Sequence, residues 1–342
     1  MMEALLFDQK TLSLKYTTNR EIPELVLEND VLVEVEYAGI CGTDVHIIEG
    51  SFPCNDRNPF VMGHEFVGIV VKAGPKANFQ IGQRVSVDPN SGCGVCQACH
   101  KGSYHLCSVG GINSTVGIWK DGGWAKFCRV PDTQVFLMPD SITPMQGALT
   151  EPISCLARGW DRAGRIPVGE DILVMGAGII GILWSELFHL QGHKRVTISE
   201  PNQDRRNLVT KIGLDYTAIS PAEISSSGKN FDVIVDCTGV AAAMESSFPL
   251  LKKGGRYVVF GCCDPKATAK INPFDIYFKE ATIIGVLVNP FTFPKAIGLI
   301  ESMGDKYLSY EKLGIKVYPV SQYEEAFKEL KKGAISKAMF KL

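Results

Sequence analysis

The chain has 342 residues, of which 45% are hydrophobic and 21% charged, and a formal charge of −2. That length exceeds what one ordinary core accommodates and predicts about two domains. The even charge balance, without a long basic or acidic run, argues against nucleic acid or an anionic membrane as a partner.

The first residues show no basic segment followed by an apolar stretch and a small-residue cleavage site. No apolar run reaches ~18 residues, so neither a signal peptide nor a membrane-spanning helix is expected. A cytoplasmic location is expected instead. Eleven cysteines in such a chain fit a reducing compartment, where they serve as metal ligands or as small buried residues.

Residues 1–37 read as strands. Val31, Val33, Val35 and Tyr37 alternate with Leu32, Glu34 and Glu36, a period of two. Gly39 and Gly42 then break the strand, so Cys41 is expected in a turn or at a helix start. Thr43 and His46 follow. Further on, His64 and Glu65 immediately precede a stretch rich in β-branched residues. A lone Cys or His is usually a packed core residue. Cys41, His46, His64 and Glu65, close in sequence and beside glycine turns, have instead the composition of a catalytic zinc site with one position left for water or substrate.

The stretch from Asp88 to Cys107 carries Cys93, Cys96, Cys99 and Cys107 as C-x2-C-x2-C-x7-C. It is rich in Gly and polar residues and holds almost no apolar residues that could form a core. Four thiolates at this spacing satisfy a tetrahedral Zn²⁺, which supplies the missing folding energy. With four protein ligands the metal keeps no catalytic position, so the site reads as structural. Strand signals at 82–88 and 122–131 flank it. The first part of the chain is thus mostly β with glycine turns, a pattern that predicts a barrel-like domain.

From Met145 the texture changes. Residues 145–152 and 153–163 read as helical, with Glu151 just before Pro152 in an apolar setting; it reads equally as a helix-cap carboxylate or as a metal ligand. A short apolar strand ends at Met175 and leads into Gly176-Ala-Gly178-Ile179-Ile180-Gly181, then a helix to about Gln191. A second strand ends at Glu200. This order of strand, glycine turn, helix and acidic residue is the context that a dinucleotide fold requires. Gly176 makes the tight turn, Gly178 admits the pyrophosphate, and Gly181 lets helix pack on strand. Glu200 would accept from the adenosine ribose hydroxyls and repel a 2′-phosphate, which favours NAD over NADP. Arg205 and Arg206, one turn on, work against that preference.

Further strands at 231–236, 255–260 and 282–286 fit a parallel sheet. The loops after them place Cys237, Thr238, Gly261, Val286 and Val288 near the cofactor. Cys237, Cys262 and Cys263 are expected to be small packing residues. A helix at 322–332 and a strand at 338–342 complete the chain, and the first domain could recruit both.

Over nearly its whole length the chain resembles the zinc-dependent medium-chain dehydrogenases. The motifs are Gly39-Ile-Cys41-Gly-Thr43-Asp-Val-His46, Gly63-His64-Glu65-Phe-Val-Gly68, the Cys93/Cys96/Cys99/Cys107 lobe, Glu151-Pro152 and the Gly176–Gly181 turn. Within the family they look like the polyol (sorbitol, arabinitol) and threonine dehydrogenase branch. The resemblance implies an α/β fold: a GroES-like β-barrel catalytic domain over 1–152, with the zinc lobe at about 88–108, and a Rossmann doubly wound parallel sheet over 153–288. A C-terminal segment, 289–342, would return to the catalytic domain.

By position the resemblance makes Cys41 and His64 catalytic zinc ligands, with Glu65 or Glu151 as the third. Thr43 and His46 match the groups that carry the substrate proton outward. Cys155, four residues after Glu151, is not counted as a ligand. Two zinc ions per chain and NAD are the implied cofactors. A secondary alcohol, a polyol or sugar alcohol, is the implied substrate and would be oxidised to a ketone. A threonine-type amino alcohol, an aldose or a bulky aliphatic or aromatic alcohol are the alternatives, with NADP as the alternative cofactor. Relatives assemble through their Rossmann sheets, which implies a homodimer or homotetramer.

Substrate contacts are expected from 46–58, Trp119 and 287–293. Glu49, Asn55, Asp56 and Arg57 could serve a polyol, whereas Val286, Phe291 and Phe293 could favour a less polar alcohol. Two readings outside enzymes compete: a zinc-containing nucleic-acid module, and an NAD-binding sensing or structural protein. The charge balance disfavours the first and the second zinc-type cluster disfavours the second.

Overall fold

The computed structural model describes residues 1–56 and 58–342. The N-terminal strands are β1 (Met2–Asp8), β2 (Ser13–Arg20) and β3 (Asp30–Gly39). Residues 21–29 between β2 and β3 are irregular, within the stretch 1–37 whose pattern predicts strands. They contain Pro23, which removes a ladder donor. Helix α1 (Gly42–Ile48), β4 (Phe60–Val61), β5 (Phe66–Ala73) and β6 (Arg84–Val87) follow. The cysteine lobe holds one helical turn, α2 (Gln97–His100), and leads to β7 (Phe127–Pro131) and β8 (Val135–Leu137).

Two helices, α3 (Pro144–Gly147) and α4 (Thr150–Ala163), come next. The parallel region runs β9 (Ile172–Met175), α5 (Ile179–Leu190), β10 (Val196–Ser199), α6 (Gln203–Ile212), β11 (Thr217–Ile219), α7 (Pro221–Ser226), β12 (Phe231–Asp236), α8 (Ala241–Ser247), β13 (Leu251–Val259), α9 (Pro273–Lys279) and β14 (Thr282–Gly285). The chain closes with α10 (Phe293–Tyr307), α11 (Tyr310–Leu313), β15 (Ile315–Pro319), α12 (Tyr323–Lys332) and β16 (Lys337–Lys341).

The six parallel strands lie in the order β11-β10-β9-β12-β13-β14. This is the doubly wound order that reverses between its first and fourth strands, here between β9 and β12. Its strands are near-continuous apolar runs because helices cover both faces. One core, around Leu183, Trp184 and Phe188, fills one face, and a second, around Phe231, Phe248 and Tyr257, fills the other.

The remaining strands build two sheets. One is β2-β1-β4; the other is β15-β16-β3-β5-β6-β8, with β7 also paired to β3. Their shared core contains Phe7, Phe60, Phe66, Trp124 and Phe340. The C-terminal segment divides its packing. Ala296, Ile300 and Met303 of α10 join the core of the parallel sheet, whereas β16 runs antiparallel beside β3 with Met339 opposite Gly39. That pairing decides what the active site contains.

Candidate active site and metal centres

Cys41 caps the N-terminus of α1, as glycines on either side of it predict. Asp44, fully buried in the first turn, accepts from the Cys41 backbone N–H at 2.8 Å. Its other oxygen stands 3.4 Å from His64 Nδ1. Asp44 therefore takes the Nδ1 side of the ring and leaves Nε2 for a metal. His64 and Glu65, both buried, enter from the loop between β4 and β5. The donor atoms of Cys41, His64 and Glu65 all lie within 4.8 Å of one another.

Burial by itself would lower the His64 pKa, but Asp44 and Cys41 outweigh it and hold the imidazole well above its ordinary range. A pocket that favours a proton this strongly also favours the divalent cation that displaces it. One partly exposed thiol and a buried imidazole and carboxylate converge here; this donor set fits zinc and leaves one tetrahedral position for substrate.

Glu65 has a partner that local sequence does not reveal. Lys337, buried at 1% exposure, forms an ion pair with its carboxylate and donates to the Ile40 carbonyl at 3.1 Å. Strand β16 delivers this lysine to the site. Gly39 makes room for the pair, because a Cβ there would stand 2.1 Å from Glu65 Oε2. Replacing Lys337 by methionine leaves a buried carboxylate without its counter-charge. The expected loss is about 3–5 kcal/mol of stability, read from the urea midpoint. A Lys337→Met/Glu65→Gln double variant is expected to recover most of it.

Glu151 stands in the first turn of α4, buried, and outside the Cys41–His64–Glu65 donor group. Burial raises its pKa to about 7, with His64 opposing and Glu65 adding to the rise. Thr43 and His46 occupy α1 and are partly exposed. His46 Nδ1 lies 3.4 Å from Ser51 Oγ. Among the expected substrate contacts, Phe293 is fully buried against Phe136, and Phe291 packs edge-on against Tyr104 at 5.0 Å. Phe293 is thus core and not pocket. Glu49 is exposed and faces Lys331, Asn55 is buried, and Arg57 lies outside the described residues.

Cys93, Cys96, Cys99 and Cys107 form the second group whose donor atoms lie within 4.8 Å. Two sulfurs on one tetrahedral zinc lie about 3.8 Å apart, given Zn–S of about 2.3 Å; Cys96 and Cys99 are 3.6 Å apart. The Gly110 N–H donates to Cys107 Sγ at 3.2 Å, and such backbone donors hold that thiol below its usual pKa. All four cysteines are free of disulfides.

A buried polar relay, not foreseen from the sequence, ties this lobe to α4. Tyr104 donates to Asp88 at 2.7 Å. Asn289 Nδ2 reaches Asp88 at 3.3 Å and Ser154 Oγ at 2.9 Å. Thr292 donates to the Ser154 carbonyl at 2.7 Å. Burial raises the Asp88 pKa to about 6, against the hydrogen bonds it accepts. Ser154 stands one turn from Glu151, so the lobe helps to place the helix that carries it.

The glycine turn follows β9. Gly176 has φ +92°, a conformation that favours glycine, and a Cβ on Gly181 would meet the Gly176 carbonyl at 1.9 Å. A Cβ on Gly178 would meet nothing within 4 Å. Gly178 caps the twelve-residue helix α5, whose first turn carries Ile179 and Ile180. Free N–H groups at this turn and space above Gly178 fit a pyrophosphate.

Glu200 directly follows β10 and is buried; its oxygens accept from the Ala177 and Asn202 N–H groups, each at 2.8 Å. Arg205 Nη1 stands 4.0 Å from Glu200, while Arg206 donates to the Glu200 and Pro201 carbonyls. Cys237 and Thr238 follow β12, Gly261 follows β13, and Val286 and Val288 follow β14, all at C-terminal strand ends. Cys237 is held in its thiol form by burial. Cys262, after β13, lies near enough to Cys41 for the two sulfurs to interact. The loop after β13, which borders the nucleotide crevice, thus comes near the metal-type site.

Comparison with known proteins gives a consistent picture. A family model described as the alcohol dehydrogenase GroES-like domain matches residues 27–140, and one described as zinc-binding dehydrogenase matches 180–302. D-altritol 5-dehydrogenase of Agrobacterium fabrum is 33% identical over 80% of this chain and 81% of its own length. L-threonine 3-dehydrogenase of Pyrococcus horikoshii is 32% identical over 92% and 91%. A solved zinc-binding dehydrogenase of Sinorhizobium meliloti bound to NADP superposes with TM-score 0.88 at 31% identity, covering 100% of this chain and 99% of that one. No helix among the described residues is long and apolar enough to cross a membrane.

Proposed function

The chain belongs to the zinc-dependent medium-chain dehydrogenases, and from that premise we propose that it oxidises a polyol or sugar alcohol at a secondary carbon, with NAD as hydride acceptor. The observation that carries this reading is the Cys41–His64–Glu65 donor set, with His64 and Glu65 buried and Cys41 partly exposed, whose atoms all lie within 4.8 Å of one another. Zinc held there would supply Lewis acidity, lowering the pKa of a bound alcohol as it does that of bound water. The protein's own groups do the rest. Asp44 orients His64, and Lys337 balances the Glu65 charge. Thr43 and His46, on the exposed side of α1, pass the substrate proton toward solvent. The second zinc belongs to the four-cysteine lobe and plays no part in chemistry.

A polyol is favoured because Phe293, which could have lined an apolar pocket, is committed to the core. The test is a screen of polyols, sugars, threonine and aliphatic and aromatic alcohols with NAD and NADP, alongside the metal content. Polyol-dependent NADH formation with two zinc ions per chain supports the reading. Turnover confined to threonine or to apolar alcohols overturns the substrate class.

NAD is favoured over NADP because Glu200 presents negative charge where a 2′-phosphate would sit, and Arg206 is spent on backbone carbonyls. Glu200→Ala is expected to raise KM for NAD about tenfold, from the loss of buried charged hydrogen bonds worth about 1.5–3 kcal/mol each. It is also expected to narrow the gap to NADP. Initial rates with both cofactors read this directly.

A homodimer fits the exposed edge of the parallel sheet. Among the described residues, strand β14 has no partner on its outer side, with Ile283 39% exposed and Phe274 and Tyr277 of α9 60% and 78% exposed. Light scattering is expected to return twice the chain mass, or four times it if the dimer pairs again. A cytoplasmic location completes the proposal.

A further inference from the structure

The Glu151 carboxylate has its own partner. Cys155 lies four residues on, one turn further along α4, so both side chains share a face of the helix. The Cys155 thiol donates to Glu151 Oε1 at 3.5 Å, within reach for a sulfur donor. The neighbouring residue, Ser154, is anchored through both its hydroxyl and its carbonyl by Asn289 and Thr292. These bonds tie down the turn of α4 that carries Cys155.

The two carboxylates near the metal donors are thus treated differently. Glu65 lies within the donor group and is balanced by Lys337. Glu151 interacts with His64 and Glu65 but lies outside that group. A carboxylate beside a zinc site competes for an open coordination position unless something holds it, because the attraction between opposite charges is strong in a buried site.

We propose that Cys155 is a positioning residue whose thiol holds the Glu151 carboxylate out of the Cys41–His64–Glu65 donor set, reserving the fourth ligand position for the substrate hydroxyl. This deepens the reading given above and rests on its metal site. Freed from the thiol, Glu151 would compete with the alcohol for that position. Serine at 155 retains a donor; alanine does not.

The test uses the full-length protein reconstituted with Co²⁺ in place of zinc. Wild type, Cys155→Ala, Cys155→Ser, Glu151→Gln and the Cys155→Ala/Glu151→Gln double variant are compared. The sulfur-to-cobalt band of the four-cysteine lobe is common to all and reports that each is folded. The difference spectrum against wild type then isolates the second site. Cys155→Ala is expected to weaken and shift the d–d bands, as an added oxygen ligand does. It should lower kcat about tenfold, the equivalent of one net hydrogen bond, while KM for NAD stays unchanged. Cys155→Ser is expected to keep the wild-type spectrum. The double variant is expected to lose the spectral change, since the competing carboxylate is gone. A Cys155→Ala spectrum and kcat equal to wild type overturns the proposal, as does a spectral change that persists in the double variant. Cys41→Ala is the control: if it leaves the d–d bands of wild type intact, the metal-site reading itself fails, and not merely the role of Cys155.

Discussion

Cys41→Ser and His64→Ala are each expected to lower kcat/KM by at least about 10³, while NADH binding stays within a few-fold of wild type. Each removes one of three convergent protein ligands, and two ligands do not hold a metal in one geometry or leave it a single reactive position. His64→Ala also strands Asp44, which is fully buried and faces Nδ1. Some loss of stability accompanies the loss of turnover for that reason. The cofactor turn is untouched, because it is held within the parallel sheet by the close packing of Gly181 on the Gly176 carbonyl and by the Glu200 carboxylate accepting from the Ala177 N–H. Steady-state rates with a polyol, set beside NADH fluorescence titration, separate the two effects. Full activity in either variant, or in protein stripped by a chelator, would falsify the zinc mechanism.

Loss of the four-cysteine lobe is expected to act on stability before chemistry. Cys99→Ser removes one of four donors from a loop with little core of its own, whose apolar residues Val95, Leu106 and Val109 stay exposed. The metal then contributes much of the local folding energy. A loss on the order of 3–5 kcal/mol is expected, or roughly 10 °C in Tm for a domain of this size. Calorimetry measures it, with chelator-treated wild type as the comparison.

The relay from Tyr104 through Asp88 and Asn289 to Ser154 predicts a second consequence. Disorder in the lobe loosens the turn of α4 that carries Glu151 and Cys155, so kcat should fall once the lobe has loosened. Asn289→Ala keeps the four cysteines but breaks the relay. It should therefore lower kcat without releasing zinc from the lobe. A Cys99→Ser protein that melts with wild type would remove the bracing role.

Several features needed no structure. The C-x2-C-x2-C-x7-C spacing predicts that four sulfurs gather, since they are local and the loop has little else to fold around, and in the fold they lie within 4.8 Å of one another. The Gly176–Gly181 turn is similarly self-contained: φ +92° at one glycine and a 1.9 Å approach at another are constraints that only glycine meets. Cys41, His64 and Glu65 were legible because glycine turns flank them.

The partners of those residues were another matter. Lys337 reads in sequence as one more charged residue before a terminal strand, and it becomes the counter-charge of Glu65 because β16 pairs with β3. Asn289 and Asp88 meet only when the end of the chain crosses back over α4. Spacing leaves both Glu65 and Glu151 open as the third donor; in the fold Glu65 lies with Cys41 and His64 and faces a buried lysine, whereas Glu151 faces a thiol on its own helix.

The ligand types, the glycine turn and the strand–helix alternation were determined by sequence alone, because they follow from short-range geometry that spacing encodes. The charge balance of the active site, the relay beneath it and the choice between the two carboxylates belong to tertiary structure. They depend on which distant segments share a low-dielectric interior, where an unpaired charge is unstable and each buried group must find its partner across the fold.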